Sequence, residues 1–524
     1  MKKLWPDSVS KGRVMKKALC SFLSVLLAAA AVGCSNGNQQ GASGSSVTAS
    51  GTASQNADTA KAVTLQFYML GDAPKNMPQV SEKINELTKK DLNCTVEFHF
   101  TTWTNYTQKY SVLLSSGEPV DLLYTAPWAS YGEYAKKGAF KALNDLLPKY
   151  APELYQHVSQ SDWDLCKLDG NIYTIPSTYQ EYFSMGLMYR EDLRKKYNLP
   201  VPNTWDNCEK YMSGIKTNMP GQLVTNDTGF LMMKDAMDSA DCEAYGMQYD
   251  YYNPSKISQY WGSQKFLSDM KDIKGWADKG FWSKSVLSDK TDTSDLANGK
   301  IVITTQGINP NKYVTAKVAV EQTHPDWEVG YVPGNESLNY AAYANHPLNN
   351  GYAVPTTSEN PERALMFYQK MVMDKTYNQL TEYGVEGTDY TVKDGVYQQV
   401  GDGFGYEGMS GWSWRNPDFM LKNSNSDELN KVFAQLKAVI AKHPKKYEAK
   451  ITDGFIEDTS SYETEKTALE TVETQYLNPI LYGEVSDVDS AVKIFMEKAN
   501  QAGLQKVQQG WEKQWMDYCK QKGY

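Results

Sequence analysis

The spacing of apolar residues between positions 63 and 124 is the feature that most constrains the fold. Alternate positions are apolar in two short segments, as in half-buried β-strands, and a third segment is a short apolar run, as in a buried strand. Between them, apolar residues recur three to four positions apart, as on the face of a helix. The strands are predicted over 63–67, 96–100 and 119–124, and the helices over 80–87 and 103–114. Strand, helix, strand, helix, strand in so short a segment is typical of a parallel α/β sheet.

The same organisation returns later in the chain. Short strands are predicted over 300–304 and 351–355, and Asn360 with Pro361 is typical of a helix start. The C-terminal segment reads as two helices that separate at Gly503. No repeat period typical of solenoids or propellers is present.

In parallel α/β sheets, ligands bind beyond the carboxyl ends of the strands, where the loops lie. This rule directs attention to three loops, which span 71–76, 125–131 and 174–184. The chain contains 36 tyrosine and 13 tryptophan residues, more than a core of this size needs. Flat rings with a polar edge suit a cleft that stacks against a ring-shaped ligand, although a tyrosine-rich core is the alternative explanation.

A secretory signal is predicted before Cys34. Lys16 and Lys17 precede an apolar run that ends on small residues, and the run is too short and too abruptly followed by polar residues for a membrane span. The signal is complete from Met15, so we expect translation to start at either Met1 or Met15. Residues 31–34, Ala-Val-Gly-Cys, resemble the lipobox of bacterial lipoproteins, in which the cysteine carries acyl chains after cleavage. An ordinary signal peptide is the alternative.

Residues 35–61 contain almost no large apolar side chain, and we expect them to form a disordered tether behind the lipid anchor. Removing the segment before Cys34 takes away a net charge of +5 and changes the total from −9 to −14. So acidic a surface argues against a nucleic-acid or anionic-membrane partner.

The remaining motifs point to no metal, cofactor or catalytic centre. Five cysteines follow Cys34 at wide spacings without a CxxC pair, so neither a zinc knuckle nor a redox pair is predicted, and buried free thiols are favoured over one disulfide. The five histidines have no spaced metal-binding partner. Residues 403–408 fit the GxGxxG pattern, but no helix is predicted after them, and we interpret them as a loop.

Several ordered blocks resemble the extracellular solute-binding proteins of ABC importers, particularly the sugar-binding lipoproteins of Gram-positive bacteria. Each block is unspecific alone, but their shared order over nearly the whole chain after Cys34 is specific; residues 422–465 match least. The blocks span 113–124, 134–147, 169–176, 188–193, 201–205, 297–303, 353–363 and 383–390.

The resemblance implies an α/β fold of two lobes that close on a ligand around a hinge, like that of periplasmic binding proteins. Crossovers between lobes are expected near residues 180–181 and 349–351. The implied domain limits are 1–33 for the signal peptide, 34–61 for the lipidated cysteine and tether, 63–179 plus 351–403 for lobe one, and 181–348 plus 404–524 for lobe two.

The resemblance also implies where ligand contacts lie. Asp72 follows the first strand, Trp128 follows the third and Glu181 stands at the first crossover. The hydroxyls of a neutral sugar need acceptors and donors, which carboxylates and arginine supply, and its C–H face prefers an aromatic ring. The full set of predicted ligand-binding residues is Asp72, Trp128, Glu181, Tyr383, Glu386, Trp412, Trp414 and Arg415.

A structural explanation stands beside each of these assignments. Trp128 could belong to the core, Asp72 to a turn or helix start, Glu181 to an ion pair, and Tyr383 with Glu386 to a turn that packs its lobe.

The function implied is a non-enzymatic, monomeric receptor, anchored by lipid outside the cytoplasmic membrane. It would capture a carbohydrate, most simply an oligosaccharide, for the permease of an importer driven by a cytoplasmic ATPase. Two alternatives remain at this point. One is a secreted glycoside hydrolase, which needs two carboxylates such as Glu118 and Asp121 across the scissile bond. The other is a receptor for peptides or modified polysaccharides on the same scaffold.

Overall fold

A computed structural model provides the structure of the chain. It describes residues 59–184, 186–226, 241–288, 295–305, 309–333, 341–406 and 408–524, without the side chains of 241–243 and 322. The signal peptide, the lipidation site Cys34 and almost all of the tether lie outside the described residues.

The described strands fall into one five-stranded sheet and several smaller ones. They are β1 (Val63–Leu70), β2 (Cys94–Thr101), β3 (Leu122–Thr125), β4 (Lys167–Leu168), β5 (Asn171–Ile172), β6 (Thr174–Ile175), β7 (Tyr182–Phe183), β8 (Gly186–Arg190), β9 (Asp241–Ala244), β10 (Met247–Asp250), β11 (Asn253–Gln259), β12 (Ile303–Thr304), β13 (Val329–Pro333), β14 (Tyr343–Ala344), β15 (Gly351–Ala353), β16 (Tyr390–Lys393) and β17 (Val396–Gln399).

Helices cover much of the rest of the described chain. The α-helices span Met77–Leu92, Tyr106–Ser116, Tyr131–Lys136, Leu146–Tyr150, Pro152–His157, Gln160–Cys166, Glu191–Lys196, Trp205–Asn218, Gln264–Asp278, Pro310–Thr323, Pro361–Met373, Lys375–Tyr383, Ser426–Ile440, Glu463–Val472, Asn478–Leu481, Val488–Ala502 and Leu504–Lys522. Single turns of 3₁₀ or π helix lie at Pro127–Ala129, Lys445–Tyr447, Ile451–Gly454 and Glu473–Leu477. Among the residues described, no helix combines the length and the apolar character that a membrane span requires.

The first sheet has the strand order β2-β1-β3-β15-β6. β1 runs parallel to β2 and β3, and β15 runs antiparallel to β3 and β6, so the predicted parallel α/β arrangement is confirmed. Leu65, Phe67 and Met69 of β1 are fully buried. They belong to a core that helices such as Pro361–Met373 complete, because the apolar face of each helix must be buried against the sheet.

A second core forms around the antiparallel sheet β12-β8-β13. Leu187 of β8 packs there with Phe266 and Met270 of the helix Gln264–Asp278 and Phe495 of Val488–Ala502. The helix Val488–Ala502 ends as predicted at Gly503, whose φ of 100° places it in the left-handed region. Two cores of mixed α/β structure give the two-lobed fold that the sequence predicts.

The chain passes between the two cores through short paired segments. After β6 it enters β7, which pairs with β14, and β14 leads back to β15. The segment after residue 403 differs from the predicted lobe limits. Phe404, Met409 and Trp414 pack in the first core rather than with lobe two, and the Trp414 ring contacts Phe67 of β1 and Tyr352 of β15. The other lobe limits stay predictions.

Candidate functional site

Several loops meet at one edge of the first sheet. Because β1, β2, β3 and β6 all run in the same direction, their carboxyl ends lie at this edge, where antiparallel β15 begins. The residues placed there are Asp72 after β1, Trp103 after β2, Trp128 after β3, residues 177–181 after β6, and Asn349 and Asn350 before β15.

Three tryptophans form what we call the aromatic platform, namely Trp103, Trp128 and Trp412. The Trp103 and Trp128 rings stack with centroids 5.7 Å apart, and Trp412 lies 5.9 Å from Trp103. Trp103 is 51% exposed and Trp128 is 42% exposed. Within the described part of the chain, Trp103 and Trp128 are the only aromatic residues among the exposed large hydrophobic side chains. The buried tyrosines and tryptophans form parts of the cores. Burying a ring normally stabilises the fold, so two exposed rings side by side make this surface a candidate binding surface.

Polar contacts beneath the rings fix their position. Trp128 Nε1 donates a hydrogen bond to Asn349 Oδ1 over 2.8 Å, and the buried Tyr124 hydroxyl donates to Asn350 Oδ1 over 2.6 Å. The Tyr124 ring supports Trp128 from below at 6.0 Å. A hydrogen bond to Asn349 and packing on Tyr124 therefore fix the position of the Trp128 ring.

The third ring arrives from a distant part of the sequence. Ser177 Oγ donates to the main-chain carbonyl of Trp412 over 3.1 Å. The preceding residues cross the loop after β1, where a Cβ on Gly71 would lie only 2.7 Å from Ser410 Oγ. Gly71 also has a φ of 128°, which only glycine adopts without strain. This close crossing places Trp412 beside Trp103.

A cavity of about 170 Å³ adjoins the platform, and we call it the hinge pocket. Most of its lining residues carry amide, hydroxyl, carboxylate or imidazole side chains, so it offers both donors and acceptors of hydrogen bonds beside apolar surface. Its lining residues are His157, Val158, Ser159, Asp162, Ser177, Thr178, Tyr179, Gln180, Glu181, Asn345, His346, Pro347, Asn349 and Asn350.

His346 at this pocket is uncharged. Burial lowers the pKa of its imidazole to about 3, and the positive charges of Lys522 and Lys450 act in the same direction. Its Nδ1 accepts a hydrogen bond from the Leu348 amide over 3.2 Å. The imidazole therefore contributes a fixed dipole and no charge at neutral pH.

Glu181 and Arg415 form an ion pair at the back of the hinge. Glu181 Oε1 accepts from Arg415 Nη1 over 3.1 Å and from Asn311 over 2.7 Å, and Oε2 accepts from Asn345 over 2.9 Å. Arg415 Nε also lies 3.6 Å from Glu382 Oε2, and only 2% of each of these two side chains is exposed. Both groups that we predicted to bind ligand thus bind each other, which is the structural explanation considered for Glu181.

The remaining predicted ligand residues lie in different settings. Trp414 is fully buried and Tyr383 is 1% exposed, in a group of tyrosine rings with Tyr390 and Tyr397, so protein encloses both. Asp72 is exposed after β1, and Glu386 is exposed in the loop that precedes β16. The site that the structure assembles contains Trp128, Trp412, Glu181 and Arg415, while their ligand-binding role stays a prediction.

Some residues of this site were missed by the sequence analysis. The rule that ligands bind beyond the ends of the strands, which selected Trp128, applies equally to Trp103, because Trp103 also follows a predicted strand. It was instead placed in a helix, which begins three residues later at Tyr106. Asn349, Asn350 and Tyr179 carry no sequence signal beyond their position near the predicted crossovers.

The carboxylate pair considered for a glycoside hydrolase does not lie in this site. Asp121 precedes β3 at the opposite end of that strand from Trp128, and only 1% of it is exposed. It accepts hydrogen bonds from the Gln66 amide and the Ser358 hydroxyl, whereas Glu118 is exposed. The described residues also include no group of three or more His, Cys, Asp or Glu side chains arranged for a metal ion.

Comparison with known proteins supplies the family. The model of the family described as bacterial extracellular solute-binding protein matches residues 71–372, more than half of the chain. A family model for a domain of unknown function matches residues 451–520.

Relatives of known name are similar over most of their length. A carbohydrate ABC transporter substrate-binding protein of Streptococcus pneumoniae serotype 4 is 22% identical over 97% of this chain and 99% of its own. Lipoprotein LipO of Bacillus subtilis is 21% identical over 75% of this chain and 82% of its own.

Among solved structures, the N-glycan transport solute-binding protein NgtS of Streptococcus pneumoniae shares the fold. Its complex with Man1GlcNAc has a TM-score of 0.70 at 19% identity and covers 87% of this chain and 100% of its own. The two cores and the candidate site at the edge of the first sheet agree with the family match. The chain belongs to the bacterial extracellular solute-binding proteins.

Proposed function

We propose that this chain captures an oligosaccharide outside the cytoplasmic membrane and delivers it, without chemical change, to the permease of an ABC importer. The observation that carries this proposal is the exposed stack of Trp103 and Trp128 beside a pocket lined by amides and hydroxyls.

The chemistry of the site suits a neutral sugar. The C–H face of a pyranose ring packs on an indole ring, and its hydroxyls exchange hydrogen bonds with groups such as Asn345 and Gln180. Arg415, a buried cation that is bonded to the pocket residue Glu181, is also paired with Glu382. A strongly anionic ligand would have to compete with two carboxylates for this guanidinium group.

The names of the relatives support the same class of ligand. The pneumococcal sequence relative is named for carbohydrate transport, and the pneumococcal structure NgtS, named for N-glycan transport, has been crystallised with Man1GlcNAc and Man5GlcNAc. We infer that glycans of this kind are the first probes to try.

We also propose a lipid anchor at Cys34, followed by a flexible tether up to residue 61. The lipobox-like residues 31–34 support this proposal, as does the description of the Bacillus subtilis relative as a lipoprotein. An anchor would keep a monomeric receptor close to its permease. Replacing Cys34 with Ala should release the protein from the membrane fraction of cells into the medium, and retention in the membrane would refute the anchor.

Titration calorimetry of residues 59–524 tests the ligand class. The panel contains Man1GlcNAc, Man5GlcNAc, maltohexaose, alginate oligosaccharides and a mixture of short peptides. We expect a neutral glycan to bind, and we expect Trp103→Ala and Trp128→Ala each to weaken it about tenfold, since each removes one stacking face.

Ile494→Ala is the matched control, because Ile494 is a 46% exposed apolar residue in the helix Val488–Ala502, outside the platform and the hinge pocket. It should leave the affinity unchanged. Binding of peptides but of no glycan would overturn the proposal. Recovery of the bound glycan intact separates a receptor from a hydrolase, and the appearance of cleavage products would refute the non-catalytic part.

A further inference from the structure

A segment near the C-terminus links the hinge to the part of the first core that carries Trp128. It spans residues 448–456, and we call it the strap. The strap begins beside β14, one of the paired segments between the two cores. The Ala344 amide donates to the Glu448 carbonyl over 2.6 Å, and the Lys450 amide donates to the Ala344 carbonyl over 3.1 Å. The strap therefore adds a further paired segment to the hinge.

The C-terminal helix Leu504–Lys522 holds the strap from one side. The centroid of the Phe455 ring lies 5.1 Å from that of Trp515 and 5.5 Å from that of Tyr518. The Tyr518 hydroxyl also donates to the Ile451 carbonyl over 2.7 Å. Aromatic packing and a hydrogen bond thus fix the strap on this helix.

The residue after the strap is anchored as well. The Glu457 carboxylate accepts hydrogen bonds from the hydroxyls of Tyr245, over 2.9 Å, and Tyr462, over 2.6 Å. Ile456 therefore lies between two anchored residues, Phe455 and Glu457, and has little freedom to move by itself.

Ile456 contacts the first core. A Cβ on Gly132 would lie only 2.5 Å from Ile456 Cγ2, so the two chains can approach this closely only because residue 132 has no side chain. The Lys136 amine donates to the Ile456 carbonyl over 3.1 Å. Gly132 and Lys136 belong to the helix Tyr131–Lys136, in which glycine is a weaker helix former than alanine. The sequence therefore favours this contact over the stability of the helix.

The contacted helix is joined directly to the turn that carries Trp128. Only Ser130 separates the helix from the turn Pro127–Ala129, and the amides on either side of Ser130 both donate to the Ala126 carbonyl, over 2.9 Å and 3.3 Å. The same turn lies beside Ile451–Gly454 of the strap. Turn and helix thus form one unit, and the strap contacts both parts of it.

We propose that the strap positions the aromatic platform, with Ile456 as a positioning residue that holds Trp128 in place through the helix Tyr131–Lys136. The inference rests on the proposed function, in which Trp128 stacks on a sugar ring. It gives a share in glycan binding to the matched domain of unknown function, residues 451–520, which contains most of the strap. A shift of the strap changes the glycan site without changing any residue of the platform or of the hinge pocket.

A pair of substitutions tests the contact by calorimetry with the glycan panel. Gly132→Ala adds a methyl group that overlaps the stiff, branched side chain of Ile456, and Ile456→Ala removes the contact without overlap. Each should weaken the glycan that binds about three- to tenfold. The double variant brings two methyl groups together in place of the original contact, so it should bind more tightly than either single variant.

Gly275→Ala is the matched control, since Gly275 also lies in a helix, Gln264–Asp278, but no neighbour lies within 4 Å of the added carbon. It should raise the melting temperature slightly and leave the affinity unchanged. Thermal melting of every variant separates a lost contact from a lost fold.

Hydroxyl-radical labelling with mass spectrometry measures the exposure of Trp128 without any ligand. Labelling of Trp128 should rise in both single variants and return toward the parent value in the double variant. Trp261, which is buried in the second core, should be labelled equally in all of them.

The outcomes separate the inference from the proposed function. If both single variants bind the glycan as the parent does, or if neither changes the labelling of Trp128, the inference is wrong and the receptor function stands. An equal loss of affinity in Gly275→Ala would also overturn it. If no glycan of the panel binds the parent protein, the proposed function itself fails, whereas the labelling result separately supports or refutes the positioning of Trp128 by the strap.

Discussion

Arg415 offers a sharp test of the buried charges at the hinge. Only 2% of its side chain is exposed, and it lies between the carboxylates of Glu181, at 3.1 Å, and Glu382, at 3.6 Å. Arg415→Leu would leave the buried carboxylate of Glu382 without its cation, and Glu181, which is 12% exposed, with only its amide partners Asn311 and Asn345. Removing one partner of a buried pair costs about 3 to 5 kcal/mol, because the remaining charge has lost its solvation and gained nothing in return.

Denaturant unfolding of the variant measures this cost directly. We expect the free energy of unfolding of the first core to fall by about 3 to 5 kcal/mol. Adding Glu382→Gln to Arg415→Leu should restore part of the loss, since it removes one of the two stranded charges.

The matched control is Lys75→Ala, which breaks the ion pair of Lys75 with Asp402. Both side chains are largely exposed, at 74% and 81%, and we expect no measurable change. A loss below about 1 kcal/mol for Arg415→Leu would refute the reasoning, because it would mean that water reaches the Glu382 carboxylate.

Three further predictions concern other buried groups. Asp121→Asn should cost about 2 to 3 kcal/mol in chemical unfolding, because an amide cannot accept every hydrogen bond the carboxylate receives, while the neighbouring Glu118→Gln changes nothing. His346 has a pKa of about 3 in the folded state, below its unfolded value, so its contribution to the free energy of unfolding is full above about pH 6.5 and is lost as the pH falls. About 2 kcal/mol of this contribution should be lost at pH 5. His346→Gln should remove this part of the pH dependence of stability. Burial and nearby Glu470 raise the pKa of Glu473 to about 7, so the folded state loses stability as the pH rises from about 4.5 to 7, and Glu473→Gln should stabilise the protein by about 1 to 2 kcal/mol at pH 8 but not at pH 4. Equal effects at both pH values would contradict the account of Glu473.

The strand and helix alternation of the first sheet was predictable because it depends on local spacing. The first half of β1 alternates, with Leu65 and Phe67 buried and Thr64 and Gln66 not, whereas residues 67–70 are all buried, as in a strand covered on both faces. The break at Gly503 was predictable for the same reason, since glycine readily adopts the left-handed conformation that ends a helix.

The segment after residue 403 was not predictable in this way. Met409 and Trp414 enter the first core from loops without regular spacing, so neither period of two nor of 3.6 marks them. Their position depends on close contacts such as that of Gly71 with Ser410, which join parts of the chain more than 300 residues apart. Sequence patterns contain no measure of such distances.

The sequence predicted the residue types of the candidate site better than the contacts between those residues. A tryptophan after β3 and a carboxylate at the first crossover follow from the rule that ligands bind at strand ends. Whether Glu181 contacts a ligand or pairs with Arg415 depends on whether Arg415, which is distant in the sequence, comes within hydrogen-bond distance of it. Trp412 and Trp414 illustrate the same limit, because one of two neighbouring tryptophans joins the platform and the other fills the core.

Closure of the two lobes on a glycan can be tested by small-angle scattering. A ligand can shift the equilibrium only by its preference for the closed state, and at a hundred times its Kd it stabilises the binding-competent state by about 2.7 kcal/mol. That is enough to move most molecules into a closed state that is otherwise rare at about one in ten. We therefore expect the radius of gyration to fall on adding the glycan that calorimetry identifies, and to stay constant for a variant that carries both Trp103→Ala and Trp128→Ala at the same glycan concentration. An unchanged radius in the parent protein at saturation would mean that the glycan binds one lobe alone. Glu181 would then hold the lobes in one arrangement with and without ligand, because its carboxylate bonds both Arg415 of the first core and Asn311 of the helix Pro310–Thr323.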